Sequence, residues 1–412
     1  MHLLEMVPNL VLGQDVKRPP SPSVGWATAN LSRSRINFVT TVGHARNPLF
    51  NKNRLKLGTF ATNTVGSIHS VAPDAYRPTW ENSLRAAKLA DGAGFEALLA
   101  LARWKGLAKA GIQHRGGVVL DPFVWAAGIA MATTYSAVFA TSHAPTVHPL
   151  IVAKQSATID HISGGRFGLN VVGGWNRPEF EMFGLPLAEH DARYDYLDEW
   201  VSVLERLWSA QEEFDFEGRF LKLKGAMSMP QPLQQPRPVI MNAGLSSRGQ
   251  RFACQHADFC FVAPGIGKEG VQSYKTMARE QFSREVGVWM QVPIVQRDTR
   301  QAAEEFLNYF AVEHEDRQSV DGWSAGITAE ARSLSNEQAR FARLVVTVGG
   351  NPIVGSAADV ADQLEALSEL GIDGVLLSWF DFEDGLKRFN EGVMPLLERR
   401  GLREPFRRAA AR

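Results

Sequence analysis

Residues 149–172 read PLIVAKQSATIDHISGGRFGLNVV and contain one complete helix–turn–strand unit. Pro149 opens a helix that runs to about Ile162, because a proline in the first turn loses no hydrogen bond. Ser163-Gly164-Gly165 breaks the helix, and Phe167 to Val172 follows as a short, mostly apolar strand. A short apolar strand paired with a helix is the repeating unit of a parallel sheet covered on both faces.

The same rhythm extends in both directions. Upstream, Leu55 to Phe60 (LKLGTF) reads as a strand, followed by a polar loop with Pro73 and Pro78. A helix from Thr79 to Gly92, a strand from Phe95 to Ala100, a helix over about Asp121 to Ala132 and a strand from Ala137 to Ala140, ending at Thr141, come next. Downstream, Asp191 to Ser209 is a long amphipathic helix with Leu197, Val201, Leu204 and Leu207 on one face. Strands then fall at residues 238–241, 259–262, 288–296 and 374–378, with helices at 246–256, 269–286 and 357–370 and a last helix near Asp381 or Asp384. About eight strands alternating with helices predict an α/β fold, a (β/α)8 TIM barrel with loop insertions. A doubly wound sheet would need a glycine-rich strand-to-helix fingerprint near its start, which is absent.

Three segments stand outside this rhythm. Residues 1–54 are rich in Pro, Ser, Asn and Arg and read as an N-terminal arm. The barrel is expected over 55–400, with an acidic, polar insertion at about 297–345 that forms either a lid or a structural excursion, and Trp323 within it as a candidate cap. Residues 401–412 read as a C-terminal tail.

Composition narrows the class. The 412 residues are 45% hydrophobic and 21% charged, as in an ordinary globular protein. Lys plus Arg and Asp plus Glu number 44 each, so no basic excess points to nucleic acid. Two cysteines, Cys254 and Cys260, make no disulfide framework and read as buried thiols in a reducing compartment. No apolar run is long enough to span a membrane, and the first residues lack the basic start of a signal peptide, so the cytoplasm is expected.

In a barrel, function sits on loops after the strand C-termini. That rule selects Asn63, Arg103, Trp104, Thr141, His143, the loop Val172-Gly173-Gly174-Trp175, Ala243-Gly244-Leu245-Ser246, and Ser378-Trp379-Phe380-Asp381. His143 and His148 have no partner at metal-ligand spacing, so no metal site is expected. There is no G-x-S-x-G elbow and no P-loop. Residues 243–249 (AGLSSRG) pass from a strand through glycine and serine into a helix with an arginine close by, which suits a phosphate or is only a helix cap. In 163–184, SGGRFGLNVVGGWNRPEFEMFG, the paired glycines let backbone approach a flat ring. Asn170 stands where a barrel strand would ordinarily carry Val or Ile, either as a ligand contact or as a satisfied core amide.

The words IDHISGGRFGLNVVGGWNRPEFEMFG and ARYDYLDEWVSVLERLW resemble the central pattern of the bacterial luciferase-like flavin-dependent monooxygenases, over about Leu55 to Leu397. The chain looks most similar to the branch that contains the pyrimidine monooxygenases, with the alkanesulfonate and dimethyl sulfone monooxygenases near it. The resemblance implies a (β/α)8 barrel, reduced FMN as cofactor, O2 as co-substrate, a separate NAD(P)H:flavin reductase and a homo-dimer or homo-tetramer. It implies flavin contacts from Ala102 and Arg103, Thr141, Asn170, Glu179, Arg193 and Tyr194, and a phosphate site at Gly244, Leu245 and Ser246. The chain departs from that branch at Gly173, where a threonine is usual, and at His143 and His148.

The implied chemistry is oxidation, and cleavage, of a small nitrogen heterocycle or amide. Thr141 and Asn170 would polarise the flavin edge, while Arg103, His143 or His148 would stabilise oxyanion charge or move a proton. Trp104, Trp175, Trp379 and Phe380 would wall the pocket. Alternatives are a sulfone or sulfonate monooxygenase, a deazaflavin-dependent hydride-transfer enzyme and a non-catalytic flavin-binding protein.

Overall fold

A computed structural model of the chain describes residues 47–65, 68–106, 114–324 and 336–407. Eight parallel strands close into a barrel: β1 (Lys56–Phe60), β2 (Ala97–Ala100), β3 (Ala137–His143), β4 (Phe167–Val172), β5 (Val239–Asn242), β6 (Phe259–Val262), β7 (Gly287–Gln296) and β8 (Gly374–Ser378). Each pairs with its sequence neighbour, and β8 returns to β1 through Leu57↔Val375 and Gly58↔Leu376. The helices α1 (Trp80–Gly92), α2 (Pro122–Ala132), α3 (Pro149–Ser163), α4 (His190–Ser209), α5 (Ser247–His256), α6 (Lys268–Phe282) and α7 (Ala357–Glu369) lie between successive strands, and α8 (Phe382–Arg388) follows β8. The barrel read from the sequence is therefore the fold.

Size complementarity fills the barrel interior. Ala97, Leu99, Phe139, Met241, Phe261, Trp289 and Leu376 form one internal cluster. Phe139 and Trp289 fit because Gly168 and Gly374 face them from neighbouring strands, where a Cβ would run into either ring.

The floor of the barrel draws on both chain ends. Leu49 is buried in the internal cluster. Glu96, buried completely, accepts two hydrogen bonds from Arg403, at 2.8 and 3.0 Å, and others from Asn51, Asn53 and the Leu57 N–H. Residues 47–54 and 401–407, assigned by composition to an arm and a tail, are thus tied to the barrel. The remainder of the arm, 1–46, lies outside the described residues.

Several boundaries differ from the expectation. β3 runs to His143 rather than Ala140, which carries Thr141 and His143 within the strand. α6 stops at Phe282, four residues early, because Ser283 turns left-handed (φ 55°) and closes the helix with its N–H on Arg279. A two-stranded hairpin, Phe214–Glu217 with Lys222–Ala226, follows α4 unannounced by any turn signal used above.

The insertion after β7 contains helices Arg300–Asn308, Arg317–Ser324 and Asn336–Val348. It docks on the loop after β1: the His69 N–H donates to Thr347, Val71 N–H to His314, and Asp316 N–H to His69. The side chain of Trp323 lies outside the described residues.

Candidate active site

The strand register builds the centre of the site. Thr141 and Asn170 are partners in the β3–β4 ladder, so both side chains emerge on the same face, along with His143 two residues on. The Thr141 hydroxyl donates to the Ala100 carbonyl (2.7 Å) and accepts from Asn170 Nδ2 (3.0 Å). Asn170 Oδ1 is buried and has no hydrogen-bond partner among the described residues. Leaving such an acceptor unmet costs about 1–3 kcal/mol, so a donor beyond those of the described residues would be favoured at this atom.

Beside this pair lies a buried charged group. Glu179 is on the short helix Arg177–Met182 that follows the Gly173-Gly174 loop. Its Oε1 accepts the backbone N–H of Trp104 (2.9 Å) and Lys105 (3.1 Å), and its Oε2 stands 3.6 Å from His143 Nδ1. Burial holds the His143 imidazole below its ordinary pKa, with Glu179 pulling the other way and Arg103 reinforcing burial. Arg103 is half-buried, with its guanidinium Nη1 inaccessible and unpartnered among the described residues, and burial lowers its pKa against the pull of Glu179. The preceding residue, Ala102, is buried.

A second corner lies where β5 meets α5. Asn242 links the two strands, giving Nδ2 to Val171 and accepting the Gly244 N–H. Gly244 then passes so close to Gly249 that a Cβ on it would collide with the Gly249 backbone. Ser246 caps α5 through the Gly249 N–H (3.1 Å), and its hydroxyl lies 3.0 Å from His190 Nε2. Tyr194 sits between His190 and Phe252, with ring centroids at 5.1 and 5.7 Å, and burial raises its pKa. Arg193 donates to the Gly174 carbonyl and leaves its Nε unmet among the described residues. Leu245 is half-buried beside Ser246.

Some expected participants are placed elsewhere. His148 is exposed and caps α3 by accepting the Leu150 N–H at 3.2 Å, so it does not join His143. Arg248, the arginine of the phosphate-like turn, is taken up by Asp198 and Asp195 on α4, and His190 stands at the serine instead. Trp379 packs edge-on against Phe382 and Phe389 in the outer core, while Phe380 stacks on Phe310 of the insertion. Asn63 holds Leu101 and Leu120 with its side chain and is structural. Trp104 and Trp175 remain at the exposed rim.

A family model for luciferase-like monooxygenases matches residues 55–374. The chain belongs to the luciferase-like monooxygenase family. This luciferase-like monooxygenase is 33% identical over 362 residues to pyrimidine monooxygenase RutA of Enterobacter sp. (strain 638), covering 84% of this chain and 96% of the relative. In fold it is similar to long-chain alkane monooxygenase LadA (TM-score 0.76, 24% identity, 86% of this chain and 93% of that one). It is also similar to riboflavin lyase RcaE, solved with modified FMN and riboflavin (TM-score 0.73, 22% identity, 86% and 94%).

The site suits the flavin that the family uses. Asn170 Oδ1 is a buried acceptor without a partner among the described residues, which a ring N–H would satisfy, and the glycine turn at 244 brings Ser246, with His190 of α4 against it, to the start of a ten-residue helix, where an anion is favoured. The sequence reading of this luciferase-like monooxygenase missed His190 and His69. His190 was discoverable, being one helical turn before Tyr194 on the same face. His69 follows β1 in a loop with no pattern, and only burial reveals it.

Proposed function

We propose that this chain is an FMNH2-dependent, two-component monooxygenase that uses O2 to oxidise, and cleave, a small nitrogen-heterocyclic or amide-containing compound. The observation that carries the cofactor part is the Thr141–Asn170 pair with its one unmet acceptor. Reduced FMN, when bound, supplies the electrons that activate O2. Asn170 would hold the ring edge. Ser246, His190, Tyr194 and Arg193 would hold the phosphate and its chain, with Gly244 and Leu245 giving backbone access. The insertion docked on residues 69–71 would exclude water.

Charge balance supports the substrate class. Arg103 and Glu179 are one cation and one anion, so the pair is neutral as it stands. A carbonyl oxygen satisfies the free guanidinium N–H and adds no net charge. A sulfonate would bring an uncompensated negative charge into the same buried space, which costs several kcal/mol. Arg103 would then steady charge developing on the substrate oxygen.

The catalytic unit is proposed to be cytoplasmic, fed by a separate NAD(P)H:flavin reductase, and a homo-dimer or homo-tetramer. Helix α2, PFVWAAGIAMA, carries no charged residue, yet Val124 and Met131 are 73% and 74% exposed, and Ile151 of α3, which packs on α2, is exposed as well. An apolar face of this kind on a surface helix fits a twofold contact.

The test is turnover with NADH, a flavin reductase, FMN and catalase, offered cyclic amides, ureides, sulfones and sulfonates in parallel. Consumption of a cyclic amide or ureide is expected. Release of sulfite, or NADH loss with no substrate consumed, would overturn the substrate assignment.

A further inference from the structure

Glu179 has one oxygen hydrogen-bonded by protein and turns the other to an imidazole. Oε1 takes two backbone N–H groups of the loop after β2, at 2.9 and 3.1 Å. Oε2 faces His143 Nδ1 at 3.6 Å, and that nitrogen is buried with no other partner among the described residues. Both side chains are more than nine-tenths buried, His143 at 8% and Glu179 at 3% exposure. An imidazole that turned a bare nitrogen toward this carboxylate would set two acceptors against each other in a low-dielectric space. The proton therefore belongs on Nδ1, and Nε2 is left bare. The ring itself leaves β3 on the same face as Thr141, beside Asn170.

We propose that Glu179 and His143 form a carboxylate–imidazole dyad, in which Glu179 is a positioning residue and His143 Nε2 accepts a proton from an N–H or O–H acid substrate. The choice of acid rests on the substrate class proposed above; the dyad does not. In the step, the substrate N–H bond breaks, its electron pair stays on nitrogen, and the proton forms a bond to Nε2. The resulting imidazolium is met by the Glu179 carboxylate and later returns its proton to solvent. The charged groups facing the ring are Glu179, from the helix after β4, and Arg103, from the loop after β2; they oppose each other. Burial keeps the resting ring neutral, ready to act as a base. The 3.6 Å separation closes to a hydrogen bond by a shift of under an ångström, of the kind catalytic contacts undergo when a ligand binds. The same carboxylate fixes Trp104 and Lys105, so one residue links the loop after β2, the end of β3 and the short helix after β4.

The direct test is the imidazole 15N spectrum of the full-length protein, histidine-labelled and without substrate, with His143→Asn assigning the signal. The wild type should show His143 as the Nδ1–H tautomer at neutral pH. Glu179→Gln keeps an oxygen for the Trp104 and Lys105 amides, and should lose that tautomer preference with the fold intact; Glu179→Ala serves as the harsher control. Once a substrate is in hand, His143→Asn should lower kcat about 10²- to 10⁴-fold, the usual worth of a general base. The FMN dissociation constant, read separately by flavin fluorescence, should change less than threefold, roughly 0.6 kcal/mol. A wild-type Nε2–H tautomer, or a preference unchanged in both Glu179 variants, overturns the dyad. Because the spectrum needs neither flavin nor turnover, a wrong substrate class would leave this result untouched.

Discussion

Asn170 gives its side-chain N–H to the Thr141 hydroxyl at 3.0 Å and keeps its carbonyl oxygen buried and unmet. Within the barrel this arrangement is a cost, since an apolar residue would pack there without it. Asn170→Ala should therefore raise the FMN dissociation constant about 5- to 150-fold, the equivalent of about 1–3 kcal/mol for one hydrogen bond to a buried group. Its thermal midpoint without flavin should hold or rise. Fluorescence titration and calorimetry read the two quantities; unchanged flavin affinity would show that Oδ1 is not a flavin contact.

Ser246 and His190 make a second separable prediction. The serine both caps α5 and faces the expected phosphate. Ser246→Ala should weaken FMN binding and also cost about 1 kcal/mol of stability, whereas His190→Ala should weaken FMN and spare stability. Riboflavin, lacking the phosphate, should bind both variants as it binds the wild type. Equal losses for riboflavin and FMN would remove the phosphate from this corner.

His148 and His143 should part company under substitution. His148→Ala removes an exposed helix cap, costing about 1 kcal/mol or less, with turnover unchanged. A turnover loss matching that of His143→Asn would place His148 in the chemistry after all.

His69 gives the pH dependence. Burial, helped by Arg103, takes its pKa down to about 4 from 6.5 in the unfolded chain. Between those values the unfolded chain binds the extra proton, so stability is full above about pH 6.5 and is lost as pH falls toward 4. The loss is on the order of 3 kcal/mol, and His143 acts in the same direction. His69→Asn should flatten the denaturant midpoint between pH 6.5 and 4; a slope identical to wild type would contradict the assignment.

Arg403 tests the joining of the chain end to the barrel. Removing one partner of a buried pair leaves an uncompensated charge, so Arg403→Met should cost about 3–5 kcal/mol by stranding Glu96. Adding Glu96→Gln should recover part of that loss. If Arg403→Met unfolds at the wild-type denaturant concentration, residues beyond 400 do not hold the barrel floor.

What could be read from sequence follows from which features are local. The barrel was legible because each strand is a run buried on both faces, such as FGLNVV at β4, and glycine or a cap marks most helix ends. Asn170 and Ser246 stood out because a polar residue interrupts an apolar run at the first and a glycine turn opens a helix at the second; the flavin proposed for them came from the family resemblance. The roles of His148 and Trp379 were not legible, because a mouth position says nothing of which way a ring turns. His148 turned to its own helix, and Trp379 into the core. Glu96 was silent for a related reason: its partners, Arg403 and Asn51, are distant in sequence and meet it only once the barrel closes.

The most direct test of the whole account is turnover under 18O2 with reductase-supplied FMNH2, followed by mass spectrometry of the product formed from a cyclic amide or ureide. The account predicts one 18O atom per product molecule, with one NADH consumed for each coupled turnover and product formation greatly reduced in Asn170→Ala. Product carrying oxygen only from water, or 18O appearing solely as hydrogen peroxide while the ring survives, would contradict it.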